Sequence, residues 1–365
     1  MDTIGPTGLE GATVVLADGT VALRESTLLA EPGELLAVLG PSGSGKSSLL
    51  RAIAGLERLS AGRIVIAGST APERGRRGVA MVAQDNQLIP FLDAARNMSF
   101  PLDVQGVPRE ESRARVEAQA SRLRIGRLLG RKPPTLSPGE KARVGLGRAM
   151  IGRPSAYLLD EPLAHLDASE RVRMRQQLRA AVKEAGVTTF LVTHDPIEAL
   201  SISDRVAVLD AGRVVQVGTG RELYDAPVNR FVAELVAPGR ITLVPARLVV
   251  TETMCAYRVG TRTLPTWTPP PPALRERDGD AVLLGIRPED VHAEPAADHG
   301  TADAIVRSVE LVGPYTTVGL DVAGHDLFAR FPAHSRVRRG DAITVGIDAV
   351  HALVFDAVTG AALTA

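Results

Sequence analysis

Unbroken apolar runs alternate along this chain with stretches in which apolar and polar positions mix. Residues 35–39 (LeuLeuAlaValLeu) form one such run, which ends in a glycine-rich turn followed by a helix-like stretch from Lys46 to Leu56. Similar runs recur at 156–159 and 189–193 with helical stretches between them. That alternation predicts buried strands of a mostly parallel sheet, so an α/β core is expected over about the first 235 residues. Within it, residues 109–125 are rich in charge and helix formers and predict an exposed helical insert.

Beyond Gly239 the pattern changes. ThrLeuValPro, ArgLeuValVal, AlaValLeuLeuGlyIle, AlaIleValArgSerVal and AlaIleThrValGlyIle are short β-like runs separated by Gly, Pro and Asp, with no long helical pattern among them. A second, all-β domain of small barrel or sandwich type is expected there.

Composition narrows the classes. The 365 residues carry 42 Lys+Arg against 42 Asp+Glu, so no global charge drives the chain onto nucleic acid or an anionic membrane surface. The single cysteine, Cys255, excludes an intrachain disulfide and any cysteine-based zinc site, and is expected to be buried or idle. The first residues have neither a basic nor an apolar leader pattern, and nowhere do about 18 apolar residues run together, so a soluble, cytosol-facing chain is expected.

Chemistry enters at the first turn. Gly40, Pro41, Ser42, Gly43, Ser44, Gly45, Lys46 and Ser47, with Ser48 following, match GxxxxGK[ST], the P-loop, between a predicted strand and a predicted helix as that motif requires. Coincidence is negligible in a chain with only four lysines. The glycines let successive N–H groups converge on phosphate oxygens, and the helix N-terminus adds favourable partial charge. Lys46 is expected to reach the β- and γ-phosphates of ATP, and Ser47 to ligate Mg²⁺. The apolar strand ending in Asp160 and Glu161 should place its carboxyl end beside the P-loop. Asp160 then holds Mg²⁺, and Glu161 is placed to polarise an attacking water as general base. Ser137-Pro138-Gly139-Glu140 opens a further helix-like stretch and, taken alone, reads as an N-cap serine with its capping glutamate.

The order P-loop, Gln84, LeuSerProGlyGlu, Asp-Glu strand and His194 resembles the ATP-binding subunits of ABC transporters, with their Walker A, Q-loop, signature, Walker B, D-loop and H-loop. The resemblance implies an α/β P-loop ATPase with a helical subdomain over about residues 88–153. It implies Gln84 as a Q-loop residue sensing Mg²⁺ and the membrane partner, and His194 as the switch histidine on the γ-phosphate. Ser137, Gly139 and Glu140 become signature residues facing the nucleotide of an opposite subunit, and Asp167 the D-loop aspartate. GlyIleArgProGluAsp at 285–290 and PheAspAlaValThrGly at 355–360 look like the maltose-type carbohydrate importer ATPases, which carry a C-terminal OB-like domain. That likeness sets expected boundaries of 1–236 and 237–365. It also implies two copies in an ATP sandwich, two separate permease subunits docked near 84–100 and 109–125, a solute-binding protein indirectly, and a place at the cytoplasmic face of the inner membrane.

The likeness implies carbohydrate or glycerol-phosphate-type cargo, with polyamine, iron or sulfate as the alternative because ATPases of those importers share the GlyIleArgProGlu element. A soluble ABC ATPase of DNA repair or translation would lack the β domain, and a small-molecule kinase would need neither LeuSerProGlyGlu nor His194.

Two departures bear on chemistry. Pro138 replaces the first glycine of the signature pair and has no N–H to donate. Leu16 stands where the family usually has an aromatic residue stacking on adenine; it offers apolar surface but no π face. Base recognition should therefore be weak: ATP and GTP affinities measured side by side are expected to differ by less than about tenfold.

Overall fold

The computed structural model describes residues 5–363 apart from 73–76, 84–87, 153, 165, 238, 267 and 297–298. It divides into two compact units, Met1–Arg221 and Glu222–Ala365.

In chain order the first unit holds β1 (Thr7–Val15), β2 (Val21–Ala30), β3 (Leu35–Leu39), α1 (Lys46–Ala54), β4 (Ala61–Ile66), β5 (Ser69–Thr70), β6 (Val79–Val82), α2 (Ala94–Val104), α3 (Arg109–Arg122) and α4 (Pro138–Met150). It continues with β7 (Ala156–Asp160), α5 (Ala168–Ala185), β8 (Thr188–Thr193), α6 (Pro196–Ile202), β9 (Arg205–Asp210) and β10 (Arg213–Gly218). Six strands form one sheet in the order β10-β9-β3-β8-β7-β6, parallel except for the edge strand β10. A second sheet, β2-β1-β4-β5, is antiparallel.

Side chains of the parallel sheet serve two cores, because successive residues of a strand point to opposite faces. Leu36, Val38, Leu158, Phe190 and Val192 join α1 and the antiparallel sheet in one cluster. Leu35, Tyr157, Leu159 and Leu191 join α2, α3, α4 and α5 in the other. Strands β3, β7 and β8 are buried at every position, which is why they read as unbroken apolar runs. The expected exposed insert is α3, which buries Ser112, Val116, Gln119 and Ala120 and leaves most of its charged residues in solvent.

The second unit contains α8 (Arg230–Val236), after α7 (Gly220–Asp225), which spans the division, and then β11 (Thr242–Val250), β12 (Cys255–Val259), β13 (Arg262–Pro265), β14 (Ala281–Ile286), β15 (Val291–His292), β16 (Gly300–Val312), β17 (Tyr315–Val322), β18 (His325–Pro332), β19 (Ala342–Ile347) and β20 (Leu353–Asp356). They build two five-stranded antiparallel sheets, β13-β12-β11-β14-β20 and β15-β19-β16-β17-β18, over one shared core, an OB-like all-β arrangement. Cys255 is a buried free thiol in that core, its pKa pushed up by burial.

The division falls at Arg221/Glu222, ahead of the 236/237 boundary that the likeness implies. The reason is packing: Ala233 of α8 clusters with Ile241, Leu353 and Phe355, and the Arg230 N–H donates to the Gly360 carbonyl at 2.9 Å, all within the second unit.

Candidate functional site

Parallel pairing decides where the chemistry gathers. Strand β8 lies between β3 and β7, with Leu39 opposite Thr193 and Asp160 opposite Val192. Neighbouring strands sit about 4.8 Å apart, so the loop after β3, the loop after β8 and the end of β7 open on one edge within about 10 Å. Residues 40–46 follow β3, Asp160 and Glu161 end β7, and His194 follows β8.

Local backbone rules shape the loop. Gly45 is the N-cap of α1 at φ 102°, and a Cβ there would stand 2.3 Å from the Ala22 carbonyl oxygen. Only glycine fits that conformation and that approach. A side-chain oxygen caps α2 (Asp93), α4 (Ser137), α5 (Asp167) and α6 (Asp195), but none caps α1. Its first-turn N–H groups are therefore available to an external anion, which the helix dipole favours.

The charged groups of the edge interact directly. Lys46 is buried, and its ammonium donates to the Gly40 and Pro41 carbonyls at 2.8 Å each. Burial pushes the Lys46 pKa down, while the carboxylates of Glu161 and Asp160 hold it up. Asp160 is pushed the other way: burial raises its pKa, opposed by a hydrogen bond from the Ser47 hydroxyl and by the charge of Lys46. His194 Nδ1 lies 3.1 Å from Glu161 Oε1, with the imidazole largely in solvent and the carboxylate mostly covered.

Glu161 adopts φ 46°, left-handed for a residue with a side chain, at a cost of about 1–3 kcal/mol. Its N–H donates to the Val192 carbonyl at 2.9 Å, which ties the strained residue to β8 and turns its carboxylate to the histidine.

The residues present fit a nucleotide with Mg²⁺. Asp160 Oδ1 and Ser44 Oγ are buried without a hydrogen-bond partner, an arrangement that suits an incoming cation and an incoming phosphate. Among the described residues no group of three or more His, Cys, Asp or Glu side chains is disposed to cage a metal.

Gln84 falls outside the described residues. Leu16 begins a turn, with its N–H donating to the Thr20 carbonyl, and packs partly into the α1 core. Ser137 Oγ accepts from the Glu140 N–H at 3.2 Å while Glu140 Oε2 accepts from the Ser137 N–H at 3.0 Å, a complete capping box, and the Ser137 side chain stays exposed. The Glu140 carboxylate, held low by the Ser137 N–H and nearby Arg131 and Arg127, is committed to the helix end. Gly139 is buried so tightly that a Cβ would meet Leu166 Cδ2 and Glu170 Oε2 at 2.8 Å. Asp167 caps α5 by accepting from the Glu170 N–H at 2.8 Å. Among the described residues no hydrogen bond or ion pair joins Ser137, Gly139 or Glu140 to residues 40–48.

Two side chains near the edge escaped the sequence reading, Arg171 and Glu198. Glu198 had a signal: it stands in the first turn of the helix that Asp195 caps just after His194.

A P-loop at the carboxyl edge of a parallel sheet, with an Asp-Glu pair and a histidine beside it, defines a nucleotide triphosphatase. Residues 23–164 match the family model described as ABC transporter, and residues 284–355 that of the TOBE domain. The trehalose/maltose import ATP-binding protein MalK of Thermococcus litoralis is 39% identical over 94% of this chain and 95% of its own length. The sn-glycerol-3-phosphate import ATP-binding protein UgpC of Cereibacter sphaeroides is 38% identical over 90% and 91%. Among solved structures, the dimeric post-hydrolysis ATP-binding cassette MJ0796 bound to ADP and Pi matches with TM-score 0.54 and 30% identity, covering 58% of this chain and 98% of that one. The chain belongs to the ABC transporter family, as one of its ATP-binding subunits, which hydrolyse ATP to drive transport.

The loop geometry makes a direct prediction. Gly45→Ala is expected to weaken binding of a fluorescent ATP analogue by more than about tenfold, with the thermal transition of the second unit unchanged.

Proposed function

We propose that this chain powers an importer of carbohydrate or glycerol-phosphate cargo, with two copies closing head to tail around two ATP molecules at the cytoplasmic face of the membrane. The observation that carries the reading is the convergence of Lys46, Ser47, Asp160, Glu161 and His194 on one sheet edge, with Glu161 and His194 in contact at 3.1 Å. Lys46 leaves the loop carbonyls to meet the β- and γ-phosphates. Ser47, Asp160 and Gln84 would hold Mg²⁺, which would supply neutralisation of phosphate charge. Glu161 removes a proton from the attacking water, and His194 keeps Glu161 and the γ-phosphate in register.

The signature residues act across the dimer. Ser137 is exposed at the start of α4, and Gly139, packed on Leu166 and Glu170, locks that start to the segment carrying Asp167. The Ser137 hydroxyl and the Gly139 N–H at this helix start suit the γ-phosphate held by the other copy. Pro138 removes one donor, so the closed state relies on Ser137 and Gly139.

Force passes to separate permeases. No helix among the described residues is long and apolar enough to cross a membrane. The first unit offers a cavity of about 770 Å³ lined in part by Val79, Met81, Ile89, Phe100, Val104 and Arg148, with Phe91 beyond it 75% exposed. An open apolar hollow with a cationic edge suits a short cytoplasmic helix of a permease. The names of the maltose-type and glycerol-phosphate relatives support the cargo class, and a solute-binding protein would deliver it from outside.

Two results test this reading. Glu161→Gln is expected to lower turnover at least a hundredfold while ATP binding persists, and full activity in that variant refutes the base. Capture of the tagged chain from gently solubilised native membranes is expected to bring two multispanning permeases, identified by mass spectrometry; recovery without any membrane protein overturns the transport role.

A further inference from the structure

Four arginines line one hollow in the first unit. Arg124 follows α3, Arg127 stands in the short turn after it, Arg143 belongs to α4 and Arg173 to α5. The hollow holds about 220 Å³, and among the described residues Glu170 is the only carboxylate on its wall. An excess of three positive charges is left over.

Little in the protein offsets that charge. Arg143 donates to Glu170 at 3.0 Å, while Arg127 comes only within 3.9 Å of Glu140. Among the described residues the side chains of Arg124 and Arg173 make no hydrogen bond or ion pair. Exposed Asp167, engaged in capping α5, is a charge near Arg173 but does not line the hollow. Like charges gathered in a partly enclosed cleft concentrate the field and draw in an anion.

Arg124 is placed there against local preference. It takes φ 55° as the residue after the α3 C-cap, with its N–H donating to the Ser121 carbonyl at 3.0 Å and the Ile125 N–H to the Ala120 carbonyl at 2.8 Å. Helix ends of this kind favour glycine at that position, because a Cβ is strained there. Backbone strain of this sort accompanies ligand sites, and here it sets an arginine beside three others.

The wall defines the ligand. A guanidinium presents paired N–H donors that match two oxygens of a phosphate or a carboxylate. Three excess charges suit a phosphate group, which carries about −1.5 to −2 at pH 7, better than a single carboxylate. Leu166 and Met174, both buried, supply an apolar part of the lining, and Gln177 an amide. The volume falls below the roughly 300–1,000 Å³ of sites for drug-sized molecules, so the occupant is small.

We propose that this hollow binds a small phosphomonoester, its phosphate on Arg124, Arg143 and Arg173 and its short carbon part on Leu166 and Met174. The phosphate competes with Glu170 for Arg143. Glu170 is also one of the two residues on which Gly139 packs, so the ligand acts on the carboxylate that seats the start of α4. The hollow shares no residue with the edge that carries Lys46, Asp160 and Glu161, and the inference needs neither the cargo nor the dimer of the reading above.

The test is isothermal titration calorimetry of the nucleotide-free full chain with glycerol 3-phosphate and, separately, inorganic phosphate, at about 150 mM NaCl to screen diffuse attraction. Wild type is expected to bind one glycerol 3-phosphate per chain. Arg124→Gly and Arg173→Gln should each weaken binding more than about tenfold, Glu170→Gln should tighten it about threefold or more, and Lys46→Ala should leave it unchanged. Glycine suits φ 55°, so Arg124→Gly should keep or raise the thermal transition, and its lost affinity is then not a folding defect. Tighter binding of the ester than of inorganic phosphate upholds the phosphomonoester; equal affinity upholds the site with free phosphate as its ligand. Absence of binding in wild type, or binding that both arginine variants retain, overturns the site, and loss in Lys46→Ala alone moves the anion to the P-loop. A Glu170→Gln chain that binds no more tightly overturns the competition for Arg143.

Discussion

The parallel pairing of β3, β8 and β7 is the constraint on which the rest of this molecule depends. Each is a short strand buried on both faces, and parallel register puts all three carboxyl ends on one edge. The P-loop, His194 and the Asp160-Glu161 pair are those three ends continued by a few residues. A one-residue slip of β7 against β8 would exchange the faces of Leu158 and Leu159, which serve different cores, so packing enforces the register that the chemistry needs.

The edge is electrostatically tense, and the tension has a use. Lys46 and Asp160 are buried charges whose pKa values burial drives in opposite directions and whose mutual attraction draws back. Glu161 sits at an uncommon backbone angle, held by the Val192 carbonyl. Ser44 Oγ and Asp160 Oδ1 are buried without a hydrogen-bond partner. A fold retains such costs where a ligand, an ion or water completes them, and here the second core and the helix caps offset them.

The helical segment between β6 and β7 works by a different rule. Most charged residues of α3 face solvent, and the segment's order comes from a few anchors: the capping box of Ser137 and Glu140, Asp93 on α2, and the close seat of Gly139 against α5. Those anchors give the start of α4 a defined direction while leaving the Ser137 side chain exposed. In the proposed head-to-tail dimer, that exposed end is the part that would face the second copy.

Much of this was written locally in the chain. The unbroken runs at 35–39, 156–159 and 189–193, the P-loop between strand and helix, and the change of texture after Gly239 each follow from a few adjacent residues, because strand burial, glycine-rich turns and helix starts are local rules. Tertiary structure alone decided the rest. It set the strand order that brings Glu161 within 3.1 Å of His194, residues separated by all of α5 and β8. It placed α8 in the second unit through Ala233 and gathered Glu161, Arg171, His194 and Glu198 around one hollow. These are contacts between segments distant along the chain, fixed by which apolar faces pack together, and no window of sequence contains both partners.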